Sequence, residues 1–285
     1  MLFLNYEQAE LDRQYDQRAW AANALDVIRA YTANSDRVRA SLGEPEVFAY
    51  GPSAAETFDL YRTSTMNAPI HVFIHGGAWR LLGKRDSAFA AKTFVFAGAH
   101  FIAVDFALLP TVTLSEMVSQ VRSAVAWIYK NAATFGGDAG KIHISGHSSG
   151  AHIAACVAAT DWEPSFGLPR DVVKSTICAS GIYDLLPVRL SSRNDFVGLD
   201  SASEQALSPI RHLHHVHSPV FVAFGGLETD EFKRQSREFA QALGPKLAAP
   251  LVVYDGLNHF EVAETLARSS DGLGKVALTM MKLRQ

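Results

Sequence analysis

Gly146-His147-Ser148-Ser149-Gly150 sets a serine between two glycines in the G-x-S-x-G spacing of a nucleophile elbow. A serine hydroxyl attacks poorly until a base takes its proton and donors receive the charge that forms on the attacked oxygen. The chain holds candidates for both tasks. Upstream, His75-Gly76-Gly77-Ala78-Trp79-Arg80 carries paired glycines that let the backbone bend until its N–H groups face a reacting carbonyl. Gly76, Gly77 and Ala78 form the expected oxyanion loop, joined by the N–H of Ser149, with each donor commonly worth about 3 kcal/mol. The base must follow both motifs. Of 11 histidines, His259 lies beyond a late strand, in Asp255-Gly256-Leu257-Asn258-His259-Phe260, and is the expected base. Between serine and histidine, Gly225-Gly226-Leu227-Glu228-Thr229-Asp230-Glu231 offers three carboxylates. Glu228 is the first choice to hold the imidazole, and Asp184 is an alternative. Trp79 and Tyr183 are expected to line the substrate site, with Trp79 and Arg80 otherwise serving as a packing residue and a structural ion pair.

These residues need elements to hold them. From Tyr6 to about Leu42, apolar residues such as Leu11, Tyr15, Leu25, Ile28 and Val38 recur near the 3.6 period, which predicts an N-terminal helical arm over 1–44, ended by Gly43 and Pro45. Eight β-rich runs follow: Val47 to Tyr50, Thr57 to Tyr61, Ile70 to Ile74, Phe101 to Phe106, Lys141 to Ser145, Val172 to Ala179, Val220 to Phe224 and Leu251 to Tyr254. A Gly51-Pro52-Ser53 turn suits an antiparallel first pair, whereas helix-length segments separate the later runs and suit parallel crossovers. Those helices are expected at Ser87 to Gly98, Leu114 to Phe135, Ser148 to Ala159 and Asp230 to Leu243. The expectation is an α/β protein, an eight-stranded, mostly parallel sheet flanked by helices over 45–285. The stretch 184–218, rich in Ser, Arg and His, is expected as an excursion over the active-site face. The serine motif then falls between a strand and an Ala-rich helix, where an elbow belongs.

Composition narrows the function. The 285 residues are 48% hydrophobic and 19% charged, the make-up of a folded domain that forms its core without metal or disulfide. The formal charge of −3 comes with no basic run, which argues against nucleic acid or an anionic membrane as partner. No apolar stretch approaches a bilayer span, and Cys156 and Cys178 sit in apolar segments as expected free thiols, so a cytoplasmic setting is expected. His212, His214, His215 and His217 resemble a metal tract but share one loop without acidic or thiolate partners, so no metal is expected. Gly140-Lys141 lacks P-loop spacing, and no cofactor is expected. The expected partners are a small-molecule ester or amide and, at most, a second copy of the chain as a homodimer.

With these motifs in hand, the chain resembles the α/β-hydrolases, specifically the arylformamidase-like (kynurenine formamidase-like) branch near the hormone-sensitive-lipase-type esterases. Leu11 to Arg18 (LDRQYDQR) resembles that branch's opening helix, His75 to Arg80 its HGGYWR-type loop, and Gly146 to His152 (GHSSGAH) its GHSAGGH elbow. Ser180 to Leu185, Ser208 to Leu213, Gly225 to Ser236 and Asn258-His259-Phe260 also match, so the likeness runs nearly end to end. It implies a serine hydrolase acting on small carboxylic esters or aryl amides through an acyl-enzyme, with kynurenine formamidase proper as an alternative. A non-catalytic binder on the same fold is the alternative of another class. Two departures stand out. Ala78 replaces the family's aromatic residue, which implies a larger or reshaped pocket, and Glu228 replaces the usual aspartate.

Overall fold

A computed structural model describes residues 1–284. Its centre is one eight-stranded sheet: β1 Glu46–Ala49, β2 Thr57–Tyr61, β3 Ala68–Ile74, β4 His100–Val104, β5 Gly137–His147, β6 Val173–Ala179, β7 Val220–Gly225 and β8 Val252–Tyr254. The spatial order is β1-β2-β4-β3-β5-β6-β7-β8. β1 and β2 pair antiparallel, as do β2 and β4, and every later pair is parallel. All eight expected strands are present, and the sheet is the mostly parallel one that the spacing implied.

Strand alternation sends side chains to opposite faces and divides the core in two. Val220 and Val222 join Ile70, Val72 and Ile144 on one face, under the helices Leu114–Asn131, Ser149–Ala158 and Asp230–Leu243. Phe221 and Ala223 join Phe73 and Phe101 on the other, under Ala88 to Phe94, the arm helix Ala24–Leu42 and the closing helix Gly272–Met280. The helix Leu114–Asn131 opens on a capping box in which Thr113 and Glu116 satisfy each other's orphan N–H groups.

The arm departs from the sequence expectation. Instead of one run from Tyr6 to Leu42, it comprises a helix Gln8–Gln14, a 3-10 turn Gln17–Trp20 and the helix Ala24–Leu42. The break turns Gln14, Tyr15 and Gln17 inward, where all three are buried. Apolar periodicity could not show this, because polar side chains make the inward contacts. Similarly, the segment expected as a helix from Ser87 to Gly98 starts as a 3-10 turn and is α-helical only over Ala91–Phe96. Residues 184–218 hold three short α-helices, Leu186–Leu190, Asn194–Val197 and Ser201–Ala206, and two 3-10 turns, Pro209–Arg211 and Leu213–His215. Among the described residues no helix is long and apolar enough to cross a membrane.

Candidate active site

β5 ends at His147, the chain reverses at Ser148, and the helix Ser149–Ala158 leaves at once. Ser148 sits at φ 55° and ψ −123°, a conformation that costs a non-glycine residue about 1–3 kcal/mol and persists only where its surroundings enforce it. They do so here. Ser148 N–H donates to the Ala179 carbonyl at the end of β6, 2.9 Å away. A Cβ on Gly146 would stand 2.2 Å from the Gly150 carbonyl oxygen, and one on Gly150 would stand 2.2 Å from that of Ile74. Only glycines let strand, turn and helix close this tightly.

The turn delivers Ser148 Oγ to His259. The serine hydroxyl donates to His259 Nε2 at 2.9 Å, and His259 Nδ1–H donates to Glu228 Oε2 at 2.9 Å. Glu228 lies in the turn after β7 and His259 opens the helix His259–Glu264 beyond β8. The other Glu228 oxygen accepts from the Ser180 hydroxyl and from Gly225 N–H, both at 2.6 Å. Three donors thus fix the carboxylate, which is 2% exposed, while Ser148 retains 8% at the surface side of the chain of bonds. The Phe232 ring meets the imidazole edge-on at 4.9 Å. His147 Nε2–H donates to the His259 carbonyl at 2.7 Å. Burial first, then the neighbouring His259, pushes His147 down to about 3, so it serves as a neutral strut.

Beyond β3 the loop makes three successive positive-φ residues, Gly77 at 108°, Ala78 at 53° and Trp79 at 61°. Gly76 backs onto the elbow, where a Cβ would lie 2.8 Å from the His147 carbonyl oxygen. Trp79 N–H donates to Ser149 Oγ at 3.1 Å, tying this loop to the first residue of the elbow helix. The N–H groups of Gly77, Ala78 and Ser149 have no protein acceptor among the described residues.

Two expectations need correction. Trp79 is 1% exposed, with its indole N–H on His152 Nδ1 at 3.3 Å, and Tyr183 is fully buried and stacked on Phe239 at 4.0 Å. Both are packed in the core, Trp79 against His152 and Tyr183 against Phe239, and neither has side-chain surface to offer a substrate. Arg80, also weighed as an ion-pair residue, instead stacks its guanidinium on Phe196 at 4.4 Å. Asp184 lies elsewhere, accepting from Leu186 N–H and facing Arg211. Asp230 and Glu231 begin the helix Asp230–Leu243, where Glu231 pairs with Arg234 at 2.7 Å. Within the His212 to His217 tract, His212 bonds the Gln205 carbonyl and His215 faces Asp161 at 3.8 Å. Sequence reasoning missed Ser180, Gly225 and His147 as partners of the acid and base. Ser180 and Gly225 lay inside matched motifs, but a role for either depends on distance in space.

Residues 58–243 match the BD-FAE family model. The chain belongs to the BD-FAE family. Within it, the likeness to the arylformamidase-like branch of the α/β-hydrolases extends over nearly all of the chain. It is 31% identical to the kynurenine formamidase of Danio rerio and 30% identical to that of Salmo salar, over 95% of this chain and 96% of each relative. Among solved structures, a candidate thioesterase of Silicibacter sp. TM1040 superposes with a TM-score of 0.83 at 27% identity, over 94% of this chain and 98% of that one. An esterase of Pyrobaculum calidifontis shares the fold at a TM-score of 0.70 and 20% identity, over 91% and 92% of the two chains. The BD-FAE match takes in Ser148 and Glu228 and ends before His259.

Proposed function

We propose that this hydrolase cleaves small carboxylic esters or aryl amides through an acyl-enzyme, with Ser148 as nucleophile, His259 as general base and Glu228 as the group that holds the imidazole. The unbroken run of 2.9 Å contacts from Ser148 through His259 to Glu228 carries this reading. Ser148 Oγ attacks the carbonyl carbon while its proton passes to His259 Nε2. The oxygen that becomes anionic is received by Gly77, Ala78 and Ser149 N–H, and Gly76 lets that loop approach the elbow. Collapse of the adduct breaks the bond to the alcohol or aniline, which leaves with the proton from His259. Water then attacks the acyl-enzyme, His259 takes its proton, and the acid departs as Ser148 recovers its hydrogen. Glu228 keeps Nδ1 protonated, so that Nε2 is free to accept in both halves.

An aniline leaves more readily than an alkyl amine because it is less basic, which favours aryl amides over other amides. Ala78 is a small side chain in the oxyanion loop and favours an acyl group larger than formyl. Against this, the two curated relatives named above are both called kynurenine formamidases, which supports N-formylkynurenine hydrolysis as the second reading. Comparing kcat/KM for p-nitrophenyl acetate, p-nitrophenyl butyrate and N-formylkynurenine separates the two. The first reading expects the short esters to lead, and a large excess in favour of N-formylkynurenine overturns it. A fluorophosphonate probe should label Ser148, whereas an unlabelled protein would be a binder on this fold. We also place the protein in the cytoplasm, a reading supported by Cys156 and Cys178, free buried thiols that burial pushes upward, Cys156 to about 12.

A further inference from the structure

One short stretch of the N-terminal arm touches both the residue that follows the acid and the residue that precedes the base. Gln17 Nε2–H donates to Thr229 Oγ1 at 2.7 Å, and Thr229 directly follows Glu228. Further along the arm, Asn23 Oδ1 accepts from Asn258 Nδ2–H at 2.7 Å, and Asn258 directly precedes His259. Asn23 Nδ2–H also donates to Glu261 Oε1 at 2.8 Å, while the second Glu261 oxygen accepts from Asn258 N–H at 2.9 Å. Flanking bonds repeat the pattern. Gln14 Oε1 accepts from Glu231 N–H at 3.0 Å, Tyr15 O–H donates to Glu231 Oε1 at 3.1 Å, and Tyr31 O–H donates to the Phe260 carbonyl.

The sheet reaches the base through the His147 strut at the end of β5 and through the short strand β8. Glu228 and His259 sit on separate loops, and the loop carrying His259 springs from β8, which has three residues, none of them buried, and pairs only with β7. A hydrogen bond weakens steeply with distance and angle, and a 1 Å error in a reacting constellation costs about a hundredfold in rate. The two loops meet through Gly226 N–H on the Tyr254 carbonyl at 3.0 Å and Leu227 N–H on the Leu257 carbonyl at 3.1 Å, both ahead of Glu228 and His259, and the arm adds a second support that is bonded to each loop at the residue next to the acid and next to the base.

We propose that Gln17 and Asn23 are positioning residues, through which the arm holds Thr229 and Asn258 in register and so keeps His259 Nδ1 on Glu228. This rests on the reading of Ser148, His259 and Glu228 as the reacting group. In the full chain, Gln17→Ala and Asn23→Ala should each lower kcat for p-nitrophenyl acetate about tenfold, with KM within about twofold of the parent. Asn23→Asp alone should lose as much, since it sets a carboxylate against Glu261. Combining it with Glu261→Gln exchanges donor and acceptor across the same contact and should restore kcat to within about twofold of the parent. A second readout needs no turnover: in Ser148→Ala protein, the far-downfield proton NMR signal of His259 Nδ1–H should shift or broaden on adding Asn23→Ala. Parent-like kcat in both alanine variants, loss that the exchanged pair does not restore, or an unmoved proton signal overturns the brace. Parent-level turnover by Ser148→Ala instead overturns the catalytic reading, and the proton signal still judges the brace.

Discussion

Glu228 is anchored at both ends of its carboxylate, one oxygen on His259 and the other on Ser180 and Gly225, so its length is set by two distances at once. Glu228→Asp removes a methylene and can satisfy one end only, which should lower kcat about ten- to a hundredfold. Glu228→Gln offers His259 an amide that no longer fixes the tautomer, and a fall of about 10³–10⁴ is expected. Asp230→Asn, at an exposed carboxylate 3.9 Å from Lys233, should stay within about twofold. Steady-state kinetics on the three variants decides the acid, and an inactive Asp230→Asn beside an active Glu228→Gln would move it. Ser180→Ala takes away one of two donors to Oε1, and a loss of about tenfold is expected. The elbow and oxyanion loop could be found in the sequence because their residues are contiguous. The acid was one carboxylate among three neighbours, and Ser180 could not be picked out because 48 residues separate it from Glu228.

Strands were legible because β-branched and aromatic runs between Gly- and Pro-rich turns state their own type, and each of the eight fell within a few residues of its expected place. The arm was misread at Gln14 to Asn23, where three buried polar contacts, not apolar period, set the path of the chain. The elbow shows the reverse case, in which glycines in the sequence report a contact between elements. Gly150 lets the helix Ser149–Ala158 lie on the backbone of β3's end, and a methyl there would stand 2.2 Å from the Ile74 oxygen and 2.4 Å from that of His75. Neither obstacle is a flexible side chain, so Gly150→Ala must push helix and strand apart. The expected cost is about 3 kcal/mol, a fall of roughly 6–12 °C in Tm, with loss of activity as Ser148 moves off His259. Calorimetry and kinetics on the variant check both, and an unchanged Tm with full activity would show that the helix has room to retreat.

Across the whole molecule, several histidines are packed inside as neutral groups, and this links stability to pH. Burial pushes His143 and His152 down to about 4 and His147 to about 3, and holds His71 well below its ordinary value. Each has a fixed acceptor or donor: His143 on Ser175 at 2.7 Å, His152 on the Leu207 carbonyl at 2.8 Å, His71 on Ser145 at 2.7 Å. An unfolded chain protonates such a side chain near pH 6.5, whereas the native chain refuses the proton until about pH 4 or below. Their contribution is therefore fully present above about pH 6.5 and is lost as pH falls from there toward 4. Each histidine contributes a slope of at most about 1.4 kcal/mol per pH unit. The carboxylates with lowered values, Asp138 and Asp171 among them, act in the same direction but only below about 4, while Glu264, which burial raises, opposes the histidines by a single group. Urea midpoints should hardly move between pH 8 and 7 and fall steadily between 6 and 4.5, with a proton uptake on unfolding of about three or more. His143→Gln should reduce that uptake by about one proton whatever it does to stability at pH 8. A flat midpoint through this range, or an unchanged slope in the variant, would mean that water reaches these rings and that the core around the elbow opens to charge.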